Sequence, residues 1–357
     1  MTISKKIYNR LYIFFLVLII VFSEFSTNFV NAKNFVINDI DIKEEYDLNF
    51  DKNKVVDSAF KLAFEILMSK ILQSENKDIL KSINLTEIKS FVENFSIRDE
   101  NFVDNNYQAK INVDFNKKNL IDYLSTRGII TSSIKPIEVM ILPILIDLKK
   151  NQIFSYSDNP FFLNWNLNKK KYHQIDYFLP NEDIEDFSVI RKNVNNIENY
   201  NFNEIFKKYN VKNRILLVLL KQDNLVKVFS KLKLENSEMY INKDLRNLNL
   251  KDLDEINKAI LDLKDDYENK WKSLNKINTS IILPIRISID SNNFSLSNNL
   301  ENYLNEMDLI SNYKIENFNS NQIIYKIIFN STPDKFLKIM ENAKFKIDTS
   351  KDIWKLQ

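Results

Sequence analysis

Hydrophobic and polar positions along this chain change their period from segment to segment, and the changes predict the elements. Phe35 to Ile42 reads as a strand, and Asp51 sits where a cap would precede a helix carrying Val55, Val56, Ala59, Phe60, Ala63, Ile66 and Leu67 on one face. A shorter helix is expected after Thr86, with Ile88, Phe91, Val92 and Phe95 along one side and Thr86 as its cap. Tyr107, Ala109, Ile111, Val113 and Phe115 then alternate strictly with polar neighbours, the pattern of a half-buried antiparallel strand. A helix over Lys117 to Ser125 follows, with Gly128 placed to end it.

The next stretch opens on Val139 to Ile146, apolar throughout, as in a strand buried on both faces; Pro143 within it argues for an edge or a strand end. A short helix near Phe202 to Tyr209 and strands at Ile215 to Leu220, Leu225 to Leu234 and Glu238 to Ile241 come next. Ile256, Ile260, Leu263, Tyr267, Trp271 and Leu274 trace one face of a long helix. After Thr279 the order becomes strand (Ile281 to Ile289), helix (around Leu300 to Met307), strand (Tyr313 to Phe318), strand (Ile323 to Phe329), helix capped by Thr332 with Pro333 in its first turn, and a last strand over Phe345 to Leu356. This is the βαββαβ order of a ferredoxin-like sandwich, a plan that hosts many functions.

The pattern therefore predicts an α+β or α/β chain of two to three small modules: residues 33–131, 136–278 and 279–357. The first 32 residues have a different pattern. Lys5, Lys6 and Arg10 precede an unbroken apolar run from Leu11 to Phe22, and Val30, Asn31 and Ala32 suit a signal peptidase. Export with cleavage after Ala32 is expected, and no integral span would then remain; retention of this segment as an anchor is the alternative.

Composition narrows the chemistry. The formal charge is +2, and residues 1–32 carry three basic side chains and Glu24, so the remainder is neutral and lacks the electrostatic footprint of nucleic-acid binding. Absence of cysteine excludes disulfides, a lipidated N-terminus, thiolate metal sites and cysteine nucleophiles. One glycine, Gly128, excludes glycine-rich phosphate loops and assigns left-handed turns mostly to asparagine and aspartate. His173, the one histidine, lies in a basic run and cannot build a multi-histidine metal site, and no cofactor is expected.

Two clusters remain as candidates. Glu182, Asp183, Glu185 and Asp186 could act as paired acids or hold a divalent cation, although acids after a proline also cap helices. Asn159, Pro160, Phe161, Phe162 and Trp165 form an aromatic patch suited either to core anchoring or to a ligand platform. Lys264, Asp265, Asp266, Glu268, Lys270 and Lys272 alternate in sign as a solvated helix face does. The weak binding candidates are Asp183, Asp186, Asn159 and Trp165.

Spaced positions also resemble a known family. Phe35, Val36, Ile40 and Ile42, the Ala59, Ala63 and Leu67 helix, Phe95, Ile97 and Glu100, and the Tyr107 to Phe115 strand are similar to the domain of unknown function 2066 family of exported proteobacterial proteins. Pro136, Val139, Leu142 and Pro143, the Asn159 and Pro160 pair with Trp165, Pro180, Asp183 and Asp186, and the closing Trp354 and Leu356 extend the resemblance over nearly the whole segment after Ala32. Phe161 departs from it, since tryptophan is usual there. The resemblance implies architecture and an exported location, and it supplies no catalytic residue. The expected function is a periplasmic, non-enzymatic binding or scaffold protein with an envelope protein as partner. The alternatives are a carboxylate-dependent cell-wall glycan hydrolase using Asp183 and Asp186, and a membrane-tethered assembly factor.

Overall fold

A computed structural model of the chain describes residues 35–279 and 281–357; the expected signal segment and its cleavage point lie outside them. Three α+β units follow one another. In the first, β1 (Phe35–Glu45) leads to α1 (Lys52–Ile71), a 3₁₀ turn (Ser74–Ser82), α2 (Leu85–Phe91), β2 (Val92–Val103), β3 (Asn106–Phe115) and α3 (Lys117–Ser125). The strands pair in the order β1-β3-β2, all antiparallel. Asp51 caps α1 by accepting from the Asn53 N–H, and every apolar residue of the Tyr107 to Phe115 alternation is buried against the helices.

The expected helix after Thr86 differs in two ways. Its cap is Asn84, whose side chain accepts from the Glu87 N–H at 3.0 Å while the Glu87 carboxylate accepts from the Asn84 N–H at 2.9 Å. This capping box satisfies two end donors at once, which places Thr86 inside the first turn. Val92 and Phe95 belong to β2, where Phe95 meets the Phe60 ring edge-on. Gly128 ends α3 at φ +71°, with the Ile129 N–H returning to the Leu124 carbonyl. Elsewhere Asp104 and Asn105, both at positive φ, make the tight β2 to β3 turn, and Asn151, Asn210, Asp223 and Asn247 take other left-handed positions.

The second unit is a sheet of six strands. β4 (Thr131–Ser132) precedes β5 (Ile137–Asp147), β6 (Gln152–Phe154), α4 (Pro160–Asn164), β7 (Ile175–Phe178), α5 (Ile184–Lys192), α6 (Asn203–Lys208), β8 (Arg214–Gln222), β9 (Leu225–Leu234), β10 (Ser237–Arg246), α7 (Leu253–Leu274) and β11 (Lys276–Ile277). The order is β10-β9-β8-β5, with β6 and β7 sharing the remaining edge of β5; β5 is parallel to β8 and β7. One face packs on α4 and α7 and the other on α5 and α6, so β5 is buried on both sides. Pro143 fits mid-strand because β7 pairs β5 only over Ile137 to Met140 and β6 only over Leu145 to Asp147. In the gap the Asn159 amide donates to the Pro143 carbonyl at 3.1 Å. β4 pairs with β11, tying both ends of this unit together.

The third unit runs β12 (Leu283–Asp290), α8 (Phe294–Glu306), β13 (Ile310–Phe318), β14 (Gln322–Phe329), α9 (Pro333–Asn342), β15 (Ile347–Asp348) and β16 (Trp354–Leu356), in sheet order β13-β14-β12-β16-β15. Thr332 caps α9 with Pro333 at its first position. The ferredoxin-like βαββα frame is followed by a hairpin where one closing strand was expected. β16 lies parallel to β12, and β15 pairs antiparallel outside it. Polar residues from Thr349 to Asp352 interrupt the segment, so the chain turns there and returns Trp354 and Leu356 to the core.

Candidate functional site

Asp183 and Asp186 stand at the start of α5. Asp183 is the cap, accepting from the N–H groups of Glu185 (2.7 Å) and Asp186 (3.3 Å). Lys208, in the last turn of α6, reaches both carboxylates, at 2.8 Å from Asp183 and 2.6 Å from Asp186, with Glu185 at 3.8 Å. The Lys208 contact, helped by the backbone N–H bonds, holds the Asp183 carboxyl below its ordinary value, and the same pair pushes the Lys208 ammonium up. Asp186 is buried, and beside it lies the buried Tyr156, whose phenol is pushed up by burial first and by the Asp186 charge second. Tyr156 has φ +51°, a strained setting for a bulky residue. Glu182 lies apart and accepts from the Ser157 hydroxyl at 3.1 Å.

Paired-acid hydrolysis needs one carboxyl kept protonated and the other free to attack or to activate water. Here one lysine joins both, and one of them is bound to a helix N-terminus. The arrangement fastens α6 to α5. Among the described residues no group of three or more His, Cys, Asp or Glu side chains is placed to hold a metal ion.

Asn159 and Trp165 are fully buried, as the core-anchoring reading of this patch expects, and present no surface to a ligand. Both polar atoms of Asn159 are engaged: its carbonyl caps α4 through the Phe161 N–H at 3.0 Å, and its amide holds Pro143. Trp165 packs edge-on against Tyr177 and stacks on Tyr267.

The largest departure is on α7. Lys264, Glu268 and Lys272, expected on a solvated face, are each at most 2% exposed. They lie four residues apart, one stripe along the helix. The Lys264 ammonium donates to the carbonyls of Trp165 (2.6 Å) and Asn168 (2.9 Å), and it faces the Trp165 and Tyr177 rings. Glu268 accepts from the N–H groups of Gln174 and Ile175, both at 2.8 Å. Lys272 donates to Ser69 (2.6 Å) and Leu72 (3.0 Å) at the end of α1. The Gln174 amide adds a bond to the Lys70 carbonyl, and the Ser132 hydroxyl one to Ile71. The second unit thus supplies the C-terminal cap of a helix in the first, with a cation where the helix dipole favours one. Burial lowers the ammonium groups of Lys264 and Lys272 to about 8 and raises the Glu268 carboxyl.

His173, expected in a solvated loop, is buried at the same junction, with Nε2 at 3.7 Å from Asp265 and Nδ1 accepting from the Lys170 N–H. No signal in the sequence marked the Lys264, Glu268 and Lys272 stripe, because its positions are charged. A helix resting on one sheet needs only the Ile256 to Leu274 stripe, whereas α7 also buries the adjacent stripe at positions 264, 268 and 272.

No helix among the described residues is long and apolar enough to cross a membrane. Comparison with known proteins yields little. No family model matches the chain. Protein Ycf2 of Physcomitrium patens is 27% identical over 291 residues, 81% of this chain, and the chain spans only 11% of that protein's length.

Proposed function

We propose that the chain is an exported, non-enzymatic binding or scaffold protein of the cell envelope that docks a protein partner. The apolar run before Ala32 and the resemblance to the domain of unknown function 2066 family support the location. One observation carries the binding reading. β10 is an edge strand whose pairing with β9 runs unbroken over ten residues, and among the described residues no strand covers its other side. The other long edges are interrupted by register shifts, one in β1 and two each in β2 and β13, which disrupt a template for strand addition. β10 keeps that template regular, with Tyr240, Asn242 and Asp244 outward, so an extended partner segment would add to it through main-chain hydrogen bonds. The fixing of the first unit to α7 makes this edge part of a preassembled body.

A photo-crosslinking residue at Asn242, with one at Glu341 as control, tests the reading in the producing cell. A discrete adduct from position 242 that is absent at 341 is expected. Equal labelling, or none at 242, would count against docking at β10. The location is tested separately by N-terminal sequencing of exported chain, which should begin at Lys33.

A further inference from the structure

A crevice at the top of the second unit is lined by none of Asp183, Asp186, Asn159 and Trp165. At the carboxyl ends of β5 and β8 a cleft of about 690 Å³ opens on the sheet face that packs against α4 and α7. Its position follows from the strand order. At its carboxyl end β5 turns away to β6 on one edge, and the parallel β8 beside it turns away to β9 on the other. Connections that diverge in this way leave a crevice outside the carboxyl ends of neighbouring parallel strands, where open α/β sheets bind ligands. The volume lies within the range of small-molecule sites, roughly 300 to 1,000 Å³.

The lining is divided by chemistry. Leu145, Phe154, Pro160, Leu248 and Leu250 form an apolar floor, and the amides of Asn224, Asn247 and Asn249 add neutral polar groups. Asp147, which is buried, is already neutralised. It accepts from the N–H groups of Lys149 (3.1 Å) and Lys150 (3.0 Å), and the Lys221 ammonium lies at 3.2 Å. Asp223 is paired with Lys149 at 3.1 Å. Lys150 and Lys251 line the cleft without an ion-pair partner among the described residues. Asp158 is likewise unpaired, so uncompensated lysines outnumber uncompensated carboxylates in the lining.

We propose that this cleft binds a small amphipathic anion, its apolar or aromatic body on the floor of Leu145, Phe154 and Leu250 and its carboxylate- or sulfonate-like head taken by Lys150 and Lys251. The floor supplies most of the affinity and the lysines select the charge. This ligand is a small molecule, so its binding and the docking of a protein at β10 fail separately.

Fluorescence titration of the full chain with anilinonaphthalene sulfonate, alongside its uncharged relative phenylnaphthylamine, tests the site. Saturable one-to-one binding of the sulfonate is expected. The K150E/K251E variant, altered only at exposed positions, should weaken the sulfonate about tenfold and leave the uncharged probe within about twofold. Phe154→Ala should weaken both. Absence of saturable binding, or sulfonate binding indifferent to K150E/K251E, overturns the proposal.

Discussion

On α5 the carboxylates of Asp183 and Asp186 meet a lysine from α6 within the same unit, and most of the group remains in contact with water. On α7 the side chains of Lys264, Glu268 and Lys272 lie out of water and are bound chiefly to backbone atoms of segments some 90 to 200 residues away. Both groups mix lysines and carboxylates. In the first, charge neutralises charge and fixes one helix against its neighbour. In the second, each charge replaces the solvent that a helix end or an open loop would otherwise require, and removing it strands donors or acceptors inside the junction.

Truncation separates the two groups most strongly. Glu268→Ala leaves the buried N–H groups of Gln174 and Ile175 without an acceptor and should cost about 3 kcal/mol in urea unfolding. A loss below about 1 kcal/mol would show that water reaches the junction. Lys272→Met removes the cap from α1 but also a costly buried charge, so a smaller loss of about 1 to 2 kcal/mol is expected.

Alkaline pH gives the two groups opposite signs. Folded Lys264 and Lys272 release their protons near pH 8, below the ordinary 10.5, so unfolding takes up protons in between. Stability contributed by this stripe therefore rises with pH from about 8 to 10.5, by at most about 1.4 kcal/mol per pH unit for each lysine. Lys208 is raised, so its contribution is complete below 10.5 and is lost only as pH climbs through its folded value. Urea midpoints of the chain and of K264M/K272M should therefore move further apart as pH rises over that window, the variant lagging behind; parallel or converging curves would refute the assignment.

The smallest effects belong to α5. Asp186→Asn keeps the shape and removes one half of the Lys208 contact, with a loss of about 1 kcal/mol. Asp183→Asn retains a good capping group and should leave the unfolding midpoint unchanged. A large loss from either would mean that α5 depends on these charges as α7 does.

Much of the fold was legible because its signals are local. The alternation from Tyr107 to Phe115, the cap at Asp51, the Thr332 and Pro333 pair and the Gly128 stop each lie within a few residues of the element they define. The displaced cap at Asn84 was readable too, since Glu87 three residues on is the other half of a capping box. Pro143 misled because its tolerance depends on where β6 and β7 stop, which the β5 segment does not encode. Asp183 was legible as a cap or an acid, and only the arrival of Lys208 from α6 decided its use.

By itself the sequence determined the locally patterned elements such as α1, β3, β8, β9 and α7, the neutrality of the segment after Ala32, and the classes of chemistry that a chain without cysteine and with one glycine and one histidine can carry. These follow from periodicity and from which atoms are present. Tertiary structure alone decided that Lys264, Glu268 and Lys272 are buried, that Asn159 and Trp165 belong to the core, and that a cleft opens where β5 and β8 end. The physical reason is the same throughout. Alternating charges on a helix read as solvated until distant segments cover them, and the surface that covers α7 is built from residues 165–175 of its own unit and from the end of α1, all far from it along the chain.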